Sequence, residues 1–273
     1  MSVELLLRLK VVSIYQILKC KIYCEIINLE SRCLLSISRV IYPLRTALED
    51  FLLDESIKQG LVSSDKVTKS KTIIADGSEL SVSQYLSGRN DLKKVKKIAE
   101  ARLLSFMSNF SCSKNQDVQN FLTTEMCISF EKRNRSRTYL ILNENSEILG
   151  YFSLALKTLF AKKKSLTNAI RKKTNPGKYC SLISPGTDYY NVYLIGQIGR
   201  NDSFTRKDLS LSDILSEIFS ILIEVQNRVG GSSILIEVDN NQKLIELYKK
   251  HGFQYLETDQ DNLSQLLILF DGI

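Results

Sequence analysis

Ile234-Leu-Ile-Glu-Val-Asp-Asn-Asn-Gln-Lys-Leu-Ile-Glu-Leu-Tyr-Lys-Lys-His-Gly-Phe253 is the stretch on which the fold turns. Its opening, Ser233–Val238, is a short apolar run that reads as a buried strand. Asp239, Asn240 and Asn241 break that run. An Asn is a strong N-cap, so a helix is expected from Asn241 to His251. Gly252 then stops the helix, and Phe253–Glu257 starts a further strand. Asn241 and Tyr248 are seven positions apart, about two helical turns, and therefore share one face.

Working outward, Leu263–Phe270 is a final strand. Upstream, Ser210–Arg228 carries Leu211, Ile214, Leu215, Ile218, Leu222 and Val225 at helical spacing, with Gly230-Gly231 beyond its end. Asn191–Gly199 is a strand. Arg137–Asn143 and Ile148–Leu156 flank the polar turn Glu144–Glu147, which is a hairpin signal. Two helices precede it, one capped by Asn90 or Asp91 and running to about Asn109, the other from about Asn115 to Asn134. Helices alternating with strands call for an α/β chain with a mixed sheet. Residues 1–88 give no comparable pattern. Pro43 starts a helix over Arg45–Lys58 that Gly60 stops, and Val62–Asn90 reads as a loop with a short strand at Lys71–Ala75. The expected organisation is thus a mainly helical extension over 1–88, acting as a structural appendage or a partner-binding arm, and a catalytic α/β domain over 89–273.

The chain has 273 residues, 44% apolar and 25% charged, which fits one or two ordinary globular domains and excludes a disordered or polytopic membrane chain. Its cysteines, at 20, 24, 33, 112, 127 and 180, are unevenly spaced, and His251 is the one histidine. That pattern argues against a metal site and suits reduced thiols, hence a cytoplasmic protein. Residues 3–43 are apolar-rich, but charges interrupt them. The longest uncharged run, Val11–Leu18, falls well short of the roughly 20 residues that span a bilayer, so no stable membrane insertion is expected.

The strand–helix–strand stretch resembles the C-terminal signature of the GNAT acyltransferase superfamily, an Asn, then a Tyr seven residues on, then Gly-Phe. The order of elements from residue 89 onward is similar too. Four further blocks stand in the same order as in the GNAT toxins of toxin–antitoxin modules: Phe110-Ser-Cys-Ser-Lys, Asp117 with Phe121-Leu122, Ser136-Arg-Thr-Tyr139, and Leu149-Gly-Tyr-Phe-Ser-Leu154. The resemblance implies a GNAT-like acyl-CoA N-acyltransferase fold, with acetyl-CoA as cosubstrate. It also implies transfer of acetyl to the α-amino group of aminoacyl-tRNA. Candidate partners are then tRNA, an antitoxin-like protein and a second copy of the chain.

In GNAT enzymes a Gly-rich loop before the long helix holds the cofactor diphosphate through backbone N–H groups and the positive helix end. The matching cofactor-binding residues here are Ile198, Gly199 and Arg200, then Lys207-Asp208-Leu209-Ser210-Leu211-Ser212, with Asn241 across the cleft. Serines stand where glycines belong, and serine resists φ > 0. Asp208 also brings a negative charge toward a diphosphate. The expectation is retained binding, with a degenerate, non-enzymatic binding protein as the competing reading.

For catalysis, the resemblance makes Tyr248 the donor of a proton to the departing sulfur; its alternative is a core tyrosine bonded to backbone. Glu237, at a strand end, is the candidate base, and a solvated carboxylate is the alternative. An α-amine with pKa near 7.8 is about 14% neutral at pH 7, against about 0.04% for a lysine, so an α-amine acceptor needs the least help from a base. His251, at a helix C-terminus, is read as a dipole-capping cation.

The segment Lys157–Lys178 holds eight basic residues and no acid, against a whole-chain charge of +7. Lys162, Lys163, Lys164, Arg171, Lys172 and Lys173 flank Leu166–Ile170, and Arg133, Arg135 and Arg137 extend the patch. Such a cluster suits an RNA backbone. A solvated loop, or a surface for an acidic protein, is the competing reading. Two rival functions stand beside tRNA acetylation: acetylation of a small amine or a protein lysine, and the binding protein without catalysis.

Overall fold

The computed structural model describes residues 39–162, 168, 187–259 and 261–270. Residues 40–273 cluster as one compact unit. Along the chain run β1 (Val40–Pro43), α1 (Leu44–Lys58), β2 (Ile73–Ala75), β3 (Ser78–Leu80), α2 (Val82–Tyr85), α3 (Leu92–Met107), α4 (Gln116–Thr123) and α5 (Met126–Lys132). Then follow β4 (Arg137–Leu142), β5 (Ile148–Lys162), β6 (Thr187–Arg200), α6 (Leu211–Val229), β7 (Ser233–Asp239), α7 (Gln242–Lys249), β8 (Gln254–Thr258) and β9 (Leu263–Leu269).

Seven strands form one mixed sheet in the order β1-β4-β5-β6-β7-β9-β8. Only β6 and β7 run parallel; every other neighbouring pair in it is antiparallel. Helix α6 is the crossover that a parallel pair requires. The small β2–β3 hairpin stands apart, turned by Asp76-Gly77 with φ of 49° and 75°, the positive pair that a tight hairpin turn favours.

Side chains alternate across the strands and give the sheet two apolar faces. One face takes Ile195, Ile234 and Ile236 and packs beneath Ile214, Leu215, Ile218 and Leu222 of α6 and Ile245 and Tyr248 of α7. The other takes Leu140, Leu142 and Tyr151 beneath α1 and α3–α5. Further along that second face lie Leu159, Tyr190, Val192, Leu235, Leu256 and Leu267.

Three expectations change. The strand β1 precedes Pro43 and pairs with β4, Val40 opposite Leu142 and Pro43 opposite Tyr139. With α1 packed through Leu44 and Ala47 into the core that holds Leu140, the sheet domain begins at Val40, and no break falls at residue 88. The single helix expected over 115–134 is two helices. Thr124 is extended (ψ −179°), its hydroxyl donates to Asn120 O, and its oxygen accepts from the N–H of Met126. The hairpin arms β5 and β6 also run longer than their sequence patterns indicated.

Candidate active site

The parallel pairing of β6 with β7 covers only Tyr193–Ile195 against Ile234–Ile236. Beyond it the strands part. On β6 the register against β5 shifts so that Leu154 faces Ile195 and Ser153 faces Gln197, which leaves Gly196 as an extra residue. From there Gln197–Arg200 stay on β5, while Glu237–Asp239 stay on β9. Two strand edges therefore face a fork. Their outward N–H and C=O groups form an edge to which an extended amide-bearing chain can add.

Two glycines hold β6 at the far side of the fork. A Cβ at Gly199 would lie 2.6 Å from Val118 Cγ1 and 2.9 Å from Phe110 and Tyr151 ring carbons. A Cβ at Gly150 would lie 2.5 Å from Gly199 O and 2.6 Å from Leu209 Cδ2. Phe110 and Tyr151 meet edge-on, and the Tyr151 hydroxyl donates to Val118 O at 2.5 Å. The blocks around Phe110, Phe121-Leu122 and Gly150-Tyr151-Phe152 are thus packing residues that set the position of β6.

The loop from Arg200 to α6 needs no glycine. No residue in it has a positive φ, so the serines meet no backbone penalty. Asp208 does not point free toward a ligand: its carboxylate accepts from the Thr205 N–H at 2.7 Å and the Thr205 hydroxyl at 2.8 Å. Leu209 is buried in the core, and its carbonyl accepts from Arg200. Ser210 is the N-cap in a capping box with Asp213. Its hydroxyl is used up in that box, leaving the N–H groups of Leu211 and Ser212 at the helix end without a partner among the described residues. Arg206, Lys207 and Ser212 are exposed beside them. Cationic side chains, two free N–H groups and a helix N-terminus fit a diphosphate; the fork fits the pantetheine arm.

Tyr248 lies on the α6/α7 face, 8% exposed, in the same core as Ile195 and Ile236, the last paired residues before the fork. Its ring packs edge-on to Phe253, 5.8 Å between centroids. Burial pushes the phenol pKa up to about 12. Its hydroxyl makes no hydrogen bond among the described residues and is not one of the fully enclosed orphan atoms. The phenol is therefore protonated and available as a donor.

Against this geometry stand the known proteins. No family model matches the chain, and no curated protein does. Among solved structures, AtaT complexed with acetyl-methionyl-tRNAfMet is 18% identical, with a TM-score of 0.46, over 60% of this chain and 86% of that one. A tyrosine-to-phenylalanine mutant of KacT is 17% identical, TM-score 0.45, over 63% and 91%. AtaTR bound with AcCoA is 16% identical, TM-score 0.42, over 60% and 84%. At these values the overlap is partial, and the reading of the site stands on its own residues.

Glu237 follows Ile236, so strand alternation sets its side chain on the face opposite Tyr248, the face of Leu235. It is not a solvated carboxylate. Lys157 Nζ lies 2.6 Å from each of its oxygens, and Gln265 Nε2 donates to Oε1 at 2.8 Å. Asn241 is the N-cap of α7, its side chain accepting from the Lys243 N–H at 2.9 Å, so its carbonyl oxygen serves the helix. Burial pulls the His251 pKa below the usual histidine value, which works against the capping cation expected there.

Arg137 does not extend a free basic surface. It pairs with the buried Glu131 at 3.0 Å and with Asn134 at 2.8 Å. Glu131 in turn accepts from the Thr138 N–H at 3.1 Å, just past the point where β1 ends at Pro43. Arg135 lies over the Phe130 ring. Lys163, Lys164, Arg171, Lys172 and Lys173 lie outside the described residues, as does the side chain of Lys162. Among the described residues no group of His, Cys, Asp or Glu is arranged to hold a metal, and no helix is long and apolar enough to cross a membrane. Sequence reasoning missed Lys157 and Gln265. The signal for Lys157 was its place in Ala155-x-Lys157-x-Leu159, the inward alternation of β5.

Proposed function

We propose that the chain is an acetyl-CoA-dependent N-acetyltransferase of GNAT type whose acceptor is the α-amino group of an aminoacyl-tRNA. One observation carries the reading. The parallel strands β6 and β7 separate after three pairs, with a protonated phenol that makes no hydrogen bond among the described residues on one face and a carboxylate on the other. A fork is the one opening through which groups on opposite faces of a sheet can act on the same bond.

In this reading Arg206, Lys207 and the N–H groups of Leu211 and Ser212 hold the diphosphate. The free edge of Gln197–Arg200 bonds the amides of the arm. Acetyl-CoA supplies the activated thioester. Tyr248 donates a proton where the sulfur leaves, and the acceptor amine enters from the Glu237 face. An α-amine needs no strong base there, since about 14% of it is neutral at pH 7. The basic Lys157–Lys178 segment supports the choice of a tRNA acceptor.

The test is cell-free translation with purified protein. Synthesis stops when acetyl-CoA is present, continues when it is omitted, and continues with Tyr248→Phe. Equal arrest by Tyr248→Phe, or arrest without acetyl-CoA, contradicts the proposal. Acetylation of free amines at full rate in the absence of RNA would instead identify a small-amine enzyme.

A further inference from the structure

Glu237 of the Lys157–Glu237 pair lies where the fork opens, whereas Lys157 stands opposite Val192, just before the parallel run of β6 and β7 begins. Lys157 belongs to β5 and Glu237 to β7, so the lysine side chain crosses β6 to reach its partner. Glu237 is the first residue of β7 beyond the parallel pairing with β6. Among the other described lysines, the ion pairs made are with Asp50, Glu100 and Glu246, none of which adjoins the fork. The lysine side chain is 36% exposed and the carboxylate 14%. The ammonium occupies the side from which an acceptor amine would enter.

We propose that Lys157 Nζ is itself an acetyl acceptor, and that the chain acetylates its own Lys157. This rests on the reading of the fork as an acetyl-CoA site. Glu237 takes one proton from the Lys157 ammonium, and the freed lone pair forms the N–C bond to the thioester carbonyl. The C–S bond breaks, and the sulfur leaves as a thiol. Its proton comes from Tyr248, which is reprotonated by the second proton lost from the amine. The proton held by Glu237 passes to solvent. The products are N-acetyl-lysine, free coenzyme A thiol and one proton. Acetylation removes the positive charge and leaves Glu237 without its ion-pair partner.

The experiment uses the full chain with acetyl-CoA bearing a deuterated acetyl group, followed by peptide mapping at intervals and, separately, calorimetric titration of acetyl-CoA. Label is expected at Lys157 at least about tenfold faster than at the exposed Lys93, Lys94 and Lys97, a margin that about 1.4 kcal/mol in barrier gives. Lys157→Arg keeps an ion pair with Glu237 and should melt as the parent does, while its total label falls to the rate of the exposed lysines. Glu237→Gln should slow labelling at Lys157 and leave Lys93 unchanged. Labelling of Lys157 no faster than of Lys93, with acetyl-CoA bound, overturns this proposal and leaves the functional reading standing. Absence of acetyl-CoA binding overturns both.

Discussion

Tyr248 is where the chemistry can be tested most sharply. Its pKa of about 12 means that the phenol stays protonated across the working range. A protonated donor gives no falling limb below about pH 11, so acetyl transfer should rise with pH and level off. The midpoint should be that of the acceptor, about 7.8 for an α-amine. Steady-state rates against pH check this; a falling limb near neutral pH would mean that another group is the acid. Tyr248→Phe removes the donor and should lower kcat by about 10²–10⁴-fold, with little change in acetyl-CoA affinity. At this scale the sequence was half legible. Asn241, Tyr248 and Gly252 could be placed on one short helix because 3.6-residue spacing is local. The partner of Glu237 could not be found, because Lys157 is distant in sequence and was counted with the basic residues that follow it.

Two elements, the β6 strand and the start of α6, decide whether the site exists. Gly199 is enclosed by Val118, Phe110 and Tyr151, so Gly199→Ala must push a packed aromatic cluster aside. A destabilisation of about 1–3 kcal/mol is expected, read as a lower melting temperature in calorimetry. An unchanged melting temperature would show that β6 can shift freely. Ser212→Glu separates stability from binding. A carboxylate in the first turn of α6 favours the helix dipole by about 0.3–1 kcal/mol, yet opposes a diphosphate at the same N–H groups. The melting temperature should hold or rise while acetyl-CoA affinity falls at least about tenfold. Long elements were readable because their apolar periodicity is strong, as in Ile214–Leu222. The strand β1 was not, since four residues ending in Pro43 carry too little pattern and owe their place to pairing with β4. The break between α4 and α5 was missed for a similar reason: Thr124 ends one helix and starts the next through its hydroxyl, which leaves no Gly or Pro to mark it.

For the whole molecule, charge is the readable property. The segment Lys157–Lys178 carries eight basic residues, more than the net charge of +7, so the excess is local. If it meets an RNA backbone, changing Lys162, Lys163 and Lys164 to Gln should weaken tRNA binding. It should also reduce the slope of log affinity against log salt by about 2, from roughly 0.7–0.9 per lost phosphate contact. Filter binding across a salt series checks this, and an unchanged slope would remove these lysines from the interface. The division into an extension and a domain was the least legible feature. Sequence pattern placed it near residue 88, whereas the sheet recruits Val40–Pro43 by hydrogen bonds that no local signal encodes. Catalysis by this chain requires above all that the parted strands β6 and β7 admit a thioester cosubstrate. Isothermal titration of the full chain with acetyl-CoA measures that directly. A saturable isotherm with one molecule bound per chain, displaced by coenzyme A, is the predicted result; no heat of binding and no competition would contradict it.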